Sequence, residues 1–356
     1  MSMKKNSFKK QLAVVVCMLL CGLSIQAAGD DLITDQIIIS KLVAGTLPQR
    51  ISSDEKNLIT NLKINGEING TDLRFIREMA TSYDVYGIEQ GGQLSILDLS
   101  DAKIVSGGEY YDDNYFTKDN EIGYMAFCAC NRLTILTLPS SITSIGNSAF
   151  YGCRGLTSVT LPSSLTLIGY KAFEGCSGLT SVTLPPSLTT IGDEAFAHCH
   201  SLASVTFPSS LASIGRKSFA YCYDLKILSI PSGITSLRHL MAFSEETIFG
   251  DSGLESVYVA WGTPAPAGRF FNGVNISKCT LYVPLGTKQA YWEADVWKDF
   301  GYTKEYDVTD VNKIDNHSET KEVSRYSLDG QRLASPTKGI NIVRYSDGSI
   351  KKEMVE

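Results

Sequence analysis

The sequence predicts a solenoid, a stack of right-handed coils that each combine a short parallel β-strand with a short helical or 3-10 segment, followed by a small C-terminal β-module. Two observations carry this prediction. The same residue types recur with a step of 23, and apolar residues alternate along one short stretch of each unit. Five copies keep the step without a slip, in the columns Phe127, Phe150, Phe173, Phe196 and Phe219, and Cys130, Cys153, Cys176, Cys199 and Cys222.

The unit at residues 156–176 indicates how each coil is shaped. Val159 and Leu161 alternate with polar residues, so they share one face of a short strand. Pro162 lacks an amide donor and suits the end of that strand. From Leu165 to Cys176 the apolar residues follow at intervals of 3, 4, 1 and 3, which is helical or 3-10 spacing. One coil cannot bury these side chains, whereas stacked coils with strands about 4.8 Å apart can.

Less regular units flank the five copies. The strand pattern recurs at 59–64 and 94–99, and at 254–259 it follows an insertion around residues 239–247. An aromatic segment ending at Phe300 then follows, and atypical terminal units of this kind cover the open end of a repeat core.

Composition limits the classes of partner. The chain has 356 residues, 43% of them apolar, with a formal net charge of −6 and a pI near 5.4. This apolar fraction is sufficient for a packed core. No basic cluster follows the first ten residues, and nucleic-acid binding needs one, so nucleic acid is excluded as a partner.

The N-terminus reads as a secretory signal peptide at residues 1–27, cleaved after Ala27. Four lysines precede an apolar run from Leu12 to Leu23, and small residues follow it. A membrane anchor and a lipid on Cys21 are the alternatives. The run is short for a membrane span, and Cys21 lacks the small residue before it that lipidation requires. No later segment is long and apolar enough to span, so the mature chain is expected outside the cell or at its surface.

The unit Ile-Gly-x-x-Ala-Phe-x-x-Cys-x-x-Leu-x-x-Val-x-Leu-Pro resembles the BspA-like leucine-rich repeat family of bacterial surface proteins, over roughly residues 55–300. The segment 281–291 is similar to that family's C-terminal cap. The resemblance implies a leucine-rich repeat solenoid, export, surface display and binding of macromolecules from a host or neighbouring cell. The asparagine ladder of leucine-rich repeats in general is missing, because its positions hold Ser141, Ser164, Ser187, Ser210 and Gly233.

The last residues form a separate module in this interpretation. Three short strands are expected after residue 322, with hairpin turns at Asp329-Gly330 and Asp347-Gly348. This tail is similar to the C-terminal sorting modules of type IX secretion, and a small β-appendage without a transport role is the alternative. The predicted segments are therefore the signal peptide 1–27, an N-terminal cap with irregular repeats 28–122, regular repeats with a C-terminal cap 123–301, a linker 302–322 and the β-tail 323–356.

The cysteines, histidines and acidic residues form no recognisable metal-binding or catalytic motif. The five cysteines in register are expected to be buried free thiols, because one repeated inward position suits a small apolar residue. The cluster His198-Cys199-His200 lacks the four ligands of a closed zinc site. No histidine lies in a recognisable catalytic setting, and Asp112-Asp113-Asn114 lacks the spacing of a calcium loop. We therefore predict no catalytic, cofactor or metal site.

A partner is expected on the outward side of the strands, at the positions between the buried residues. The middle of this surface is a field of Ser and Thr, and its ends carry the aromatic, aliphatic and charged side chains that anchor protein interfaces. The candidate binding residues are Ile96, Asp98, Ile135, Ile227, Tyr258, Trp261 and Tyr282. Two alternatives remain: these residues pack beneath insertions or the cap, or the Ser and Thr rows form a flat lattice for carbohydrate or ice.

The resulting function is recognition. We expect a secreted or cell-surface protein of adhesion type, not an enzyme, whose partner is an extracellular or surface protein or a glycan. The alternatives are a surface enzyme acting on glycans or proteins, with its site in the insertions at 105–122 or 239–250, and a structural component of the envelope. The sequence does not specify the oligomeric state.

Overall fold

The computed structural model describes residues 32–82, 91–112, 114–234, 247–308, 322–327, 332–333, 335, 339–345 and 350–355. The fold reported below belongs to the compact unit Ile33–Glu356. The signal peptide at 1–27, residues 239–246 of the insertion and the two dipeptides of the predicted tail hairpins lie outside the described residues.

Most regular elements are short strands. In chain order they are β1 Ile37–Leu42, β2 Asn61–Ile68, β3 Ile96–Asp98, β4 Ala102–Ile104, β5 Gly107–Asp112, β6 Tyr115–Thr117, β7 Glu121–Ile122, β8 Ile135–Thr137, β9 Ser144–Ile145, β10 Ser158–Thr160, β11 Leu167–Ile168, β12 Thr190–Ile191, β13 Ser204–Thr206, β14 Ser213–Ile214, β15 Ile227–Ile230, β16 Ser256–Val259, β17 Thr280–Pro284, β18 Tyr302–Tyr306, β19 Glu322–Ser327, β20 Arg332–Leu333, β21 Gly339–Tyr345 and β22 Ile350–Val355. The α-helices are α1 Ser53–Lys56, α2 Gly70–Ala80 and α3 Lys288–Glu293, and the 3-10 helices are Leu47–Gln49, Ile276–Lys278 and Trp297–Asp299.

Parallel strands line both sides of the repeat. One side holds β1, β2, β3, β8 and β10, then β13 and β15 to β18, and the other side holds β7, β9, β11, β12 and β14. Equivalent residues of adjacent units are partners: Ser158 pairs with Ile135, and Leu167 pairs with Thr190. The parallel stacking that the repeat predicts is therefore present.

The core is a column of phenylalanine rings between the two sides. Phe127, Phe150, Phe173, Phe196 and Phe219 are fully buried, and neighbouring rings stack with centroids 4.9 to 5.3 Å apart. Offset stacking of this kind adds about 0.5–1.5 kcal/mol per pair to the burial of the rings. The predicted inward position of these residues is confirmed.

The prediction of a helical or 3-10 segment in each regular coil is wrong. Residues 123–234 contain only short strands, turns and irregular backbone. The amide of Phe173 donates to the carbonyl of Ala195 in the next coil at 2.7 Å, whereas the amide of Ala172 donates within its own coil to Gly169 at 3.3 Å. On both strand-bearing sides of the repeat, neighbouring coils are separated by the spacing of paired strands, about 4.8 Å. Helices need about 8–10 Å between their axes, so one helix per coil does not fit.

Hydroxyl groups replace the missing asparagine ladder. Ser164, Ser187 and Ser210 each donate to a carbonyl of the preceding coil, at 2.6 Å in all three cases. The hydroxyl of Ser141, the first of this column, is buried and has no hydrogen-bond partner among the described residues. A second column runs along the strand side, where Thr157 donates to the carbonyl of Thr134 at 2.9 Å. Coil-to-coil bridging is thus retained with a shorter side chain.

The cysteine column also links the coils. The thiols of Cys153, Cys176, Cys199 and Cys222 each donate to the carbonyl of the phenylalanine 26 residues earlier, at 3.0 to 3.3 Å. The seven cysteines in the described residues are buried free thiols; the inward position was predicted for the five that are in register, and not for Cys128 and Cys279. Burial raises the pKa of Cys130 and Cys222 to about 12.

The N-terminal end of the core is covered by α2. Its buried side chains Leu73, Ile76 and Met79 face the first coils. Asp72 in its first turn is fully buried and accepts hydrogen bonds from the amides of Asn69 at 3.1 Å and Leu47 at 2.8 Å. This carboxylate satisfies backbone donors at the helix start and fixes the preceding loop to the helix.

An aromatic cap closes the other end. Trp297 and Tyr291 are buried, and Trp297 Nε1 donates to the carbonyl of Ala265 at 2.8 Å. The cap extends further than predicted: residues 302–306, assigned from sequence to the linker, form β18, which pairs in parallel with β17. The predicted boundary at residue 301 is therefore wrong, because an additional strand completes the sheet edge at β17.

The C-terminal strands form their own antiparallel sheet, in the order β20-β19-β21-β22. The sequence predicted three strands here, whereas the structure contains four, starting at Glu322. In the described part of the chain, no helix combines the length and apolar character that a membrane span needs.

Candidate functional site

The candidate site is the outward strand face, defined as the side-chain positions that alternate with the core residues along the strand side. The repeat register assigns these side chains to two rows; parallel pairing links the members from β2 to β10 and from β13 to β18, and an isolated bridge joins Ser181 to Ser158. The first row comprises Asn61, Ile96, Ile135, Ser158, Ser181, Ser204, Ile227, Ser256, Thr280 and Tyr302. The second comprises Lys63, Asp98, Thr137, Thr160, Thr183, Thr206, Ser229, Tyr258, Tyr282 and Lys304.

An aromatic group occupies the C-terminal end of this face. Tyr258 and Tyr282 pair across β16 and β17, and their rings stack with centroids 4.1 Å apart. Tyr306 meets Tyr258 edge to face at 5.5 Å, and its hydroxyl donates to the carbonyl of Val259 at 3.1 Å. Lys304 Nζ lies 5.8 Å from the centroid of Tyr282, within range of a cation–π contact. These contacts fix the orientation of the rings.

Two of the predicted binding residues are not exposed. Tyr258 is only 9% accessible, because Tyr282 and Tyr306 cover its ring. Trp261 is 7% accessible and belongs to the cap, where its Nε1 donates to the carbonyl of Ile234 at 2.6 Å. For both residues the expectation of an exposed anchor is corrected, and the alternative of packing beneath the cap holds.

Burial of Tyr258 also affects its hydroxyl. Burial and the neighbouring Tyr282 hold the pKa of Tyr258 well above its usual value. Burial likewise raises the pKa of Tyr306 to about 12. Both hydroxyls therefore stay neutral at physiological pH and act as hydrogen-bonding groups.

The aliphatic candidates are partly exposed. Ile96 and Ile135 are direct partners across β3 and β8, so they form one contiguous apolar pair on the first row. Ile227 lies further along the same row, beside Ser204 and Ser256. The structure brings Ile96 and Ile135 together and leaves Ile227 nearer the tyrosines.

A charged group occupies the N-terminal end of the second row. Lys63 Nζ lies 3.0 Å from Asp98 and 2.8 Å from Asp101. Burial acts to raise the pKa of Asp98, but hydrogen bonds from Ser100 and Lys63 outweigh it and hold this pKa below its usual value. Hydrogen bonds to Asp101 and Asp98 raise the pKa of Lys63. Asp98 is thus an ionised carboxylate that already has partners within the chain.

The sequence analysis missed two residues of the face, Tyr302 and Lys304, and the adjacent Tyr306, because it placed all three in the linker. Tyr302 is 68% accessible, the most exposed large apolar side chain described. The alternation Tyr-x-Lys-x-Tyr at 302–306 is the signal that identifies this strand, and it resembles the pattern of the preceding strands.

The insertion at 105–122 contains an antiparallel hairpin of β5 and β6. Its carboxylate Asp112 pairs with Arg77 at 2.8 Å, and Asp119 accepts from the amide and the hydroxyl of Ser106. Three exposed rings, Tyr110, Tyr115 and Phe116, cover its surface. Within the described residues, no three His, Cys, Asp or Glu side chains are grouped so that they could hold a metal ion.

Comparison with known proteins agrees with this architecture. Residues 120–248 match the family model described as BspA type leucine rich repeat region, in six copies. No curated protein matches the sequence.

Three solved structures illustrate the likeness. A leucine-rich repeat protein of T. pallidum is 26% identical, with 53% of this chain and 79% of that chain covered and a TM-score of 0.36. The pneumococcal vaccine antigen PcpA is 14% identical, with 77% and 67% covered and a TM-score of 0.41. A leucine rich cell surface protein of Faecalibacterium prausnitzii is 16% identical, with 72% and 81% covered and a TM-score of 0.28. By the family-model match, residues 120–248 are similar to leucine-rich repeat regions of the BspA type.

Proposed function

We propose that this chain is an exported recognition protein of adhesion type, which binds a surface or extracellular protein on the outward strand face. The contact is centred on Tyr282 and Tyr302, with Ile227 at its margin. The observation that carries the proposal is the tyrosine group of β16 to β18, in which stacking on Tyr258 orients the partly exposed ring of Tyr282, with the exposed Tyr302 on the adjacent strand.

Fixed aromatic rings suit a protein partner for two reasons. Tyrosine is enriched among the few residues that supply most of the binding energy at protein interfaces. Side chains that are already ordered lose little conformational entropy on binding, and that loss is otherwise about 0.5–1.5 kcal/mol per side chain. Tyr258 stacks on one face of Tyr282, so the partly exposed ring of Tyr282 is ordered before a partner arrives.

The enzyme alternative finds less support. The described carboxylates of the 105–122 insertion are engaged in hydrogen bonds or ion pairs, and they point to an anchored hairpin. A general acid, a general base and a nucleophile would have to converge on one reacting atom. The repeat family and the expected export favour surface recognition.

The test is binding by the mature chain to extracellular-matrix proteins and to surface proteins of neighbouring bacteria, immobilised one by one. A Tyr282→Ser/Tyr302→Ser variant should weaken the positive interactions at least tenfold. The matched control is Tyr151→Ser/Tyr170→Ser, which removes two exposed tyrosines that do not belong to the outward strand face and should bind like the wild type. Equal binding by the two variants would refute the proposed surface.

A further inference from the structure

A second surface is formed by the residues that come two to four positions after the core phenylalanine of each coil, outside the strands. Four rings of two adjacent coils form the ring cluster, defined as His198, His200, Tyr221 and Tyr223. His198 stacks on Tyr221 with centroids 4.5 Å apart and planes 7° apart, and His200 stacks on Tyr223 at 5.0 Å. Tyr223 is 54% accessible.

The stacking direction shows which ring faces are free. His198 and Tyr221 occupy equivalent positions of adjacent coils, so the second face of His198 points towards the equivalent residue of the preceding coil, Gly175. A Cβ placed at Gly175 would contact only Gly152, at 3.7 Å, and a Cβ at Gly152 would contact nothing within 4 Å. The column of side chains is thus interrupted, and space for one flat group remains against His198.

The interruption is not imposed by the backbone. Gly175 has a φ of +73°, but Ala129 and His198 adopt +58° and +59° at the equivalent positions. Side chains are therefore accommodated in this column before and after the two glycines. The open space depends on the choice of glycine at 152 and 175.

A positively charged side chain near this space favours an anionic ligand. Arg154 is exposed and forms no ion pair with any described residue. It occupies the position equivalent to His200 two coils earlier, about 10 Å away at the spacing of stacked strands. The exposed carboxylate of Asp224 lies beyond Tyr223, at the opposite end. The surface therefore runs from the exposed guanidinium of Arg154, across the open space, to the ring cluster.

We infer that this corner binds an acidic polysaccharide, with a pyranose ring stacked on His198 above Gly175 and a uronate carboxylate paired with Arg154. The C–H face of a pyranose is apolar and flat and suits the negative face of an aromatic ring. A carboxylate fits the planar donor fork of arginine. An acidic peptide supplies the carboxylate but lacks the flat apolar face.

The full mature chain should be titrated calorimetrically with hexagalacturonate, with the neutral maltohexaose and with hexaglutamate. We expect hexagalacturonate to bind, and both controls to bind at least tenfold more weakly. Gly175→His extends the ring column into the open space and should weaken hexagalacturonate binding at least tenfold. Ala129→His adds the same side chain in the same column, two coils before Gly175, and should leave binding unchanged.

Two further variants keep the inference testable if Gly175→His fails to fold. His198→Ala and Arg154→Ser should each weaken hexagalacturonate binding at least fivefold, with thermal midpoints close to the wild type. The Tyr282→Ser/Tyr302→Ser variant should bind the hexasaccharide normally, which separates this surface from the outward strand face. Absence of wild-type binding, equal binding by Gly175→His and Ala129→His, or equal affinity for hexaglutamate would each overturn the inference.

Discussion

The thiol of Cys176 donates a hydrogen bond to the carbonyl oxygen of Phe150 in the preceding coil, with the sulfur 3.2 Å from the oxygen. The same bond recurs along the column, and it requires the protonated thiol. Burial favours that form, because a thiolate in an apolar interior loses its hydration. The cysteine column should therefore make the stability of the repeat depend on pH in the alkaline range.

Stability should fall as the pH rises above about 9. Burial raises the pKa of Cys130 and Cys222 to about 12, whereas an unfolded thiol has a pKa of about 8.5. Since the folded state holds the proton more tightly, this stabilisation is complete below the unfolded pKa and is lost as the pH rises towards the folded pKa. Urea unfolding between pH 8 and 11 measures the slope. A Cys130→Ala/Cys222→Ala variant should show a shallower slope, and an identical slope would contradict the linkage.

Removal of one hydroxyl of the serine column should destabilise the fold. Ser187 donates to the carbonyl of Leu165 at 2.6 Å, and a net contribution of about 1 kcal/mol is typical for such a bond. We expect Ser187→Ala to lower the free energy of unfolding by about this amount in urea titrations. Ser181→Ala, on the outward strand face, is the matched control and should change it by less than about 0.5 kcal/mol. Equal effects would show that the column does not bridge the coils.

The two stacked tyrosines should differ in their effect on stability. Tyr258 is 9% accessible and Tyr282 is only partly buried. Replacing a buried aromatic residue by Ala costs about 3–5 kcal/mol. Tyr258→Ala should therefore unfold at clearly lower urea concentration, whereas Tyr282→Ala should lose no more than about half as much. Similar losses for both variants would contradict the assigned burial.

Asp72 should be the critical acidic residue of the N-terminal cap. Its carboxylate accepts from the amides of Leu47 and Asn69 in a fully buried position, and hydrogen bonds to charged groups contribute about 1.5–3 kcal/mol. We expect Asp72→Ala to lower the free energy of unfolding by about 3 kcal/mol. Asp101→Ala, which removes a half-exposed ion pair to Lys63, should cost no more than about 1 kcal/mol. Calorimetric melting of both variants distinguishes the two cases.

The alignment of the coils was predictable because the buried side chains recur at the same interval as the sequence motif. Phe173 and Cys176 recur at fixed intervals, and each faces the interior as their spacing indicates. The backbone between them was not predictable from that spacing. Intervals of three and four residues report which side chains point inward, and both a helix and successive turns satisfy them. The close approach of adjacent coils decides between the two.

Alternation along the strands predicted which side chains share a face, but it did not predict how exposed each of them is. Alternation along β16 predicts Tyr258 on the outward side, and the structure pairs it with Tyr282 of β17. Its burial depends on Tyr306, 48 residues later in a strand that the sequence analysis had assigned to a linker. Trp261 is buried for a similar reason, since the cap that surrounds it is built from Tyr291 and Trp297. Long-range contacts of this kind leave no local signal.

The pairing of equivalent residues has a consequence for how this chain can change in length. Ser158 contacts Ile135 as Ser181 contacts Ser158, so excision of residues 158–180 brings Ser181 against Ile135 with the interface conserved. Excision of a shorter piece shifts every inward side chain out of alignment with its neighbours. Unequal recombination between copies of the gene segment can therefore lengthen or shorten the array by whole units, and a ligand-binding surface can be widened without a new fold.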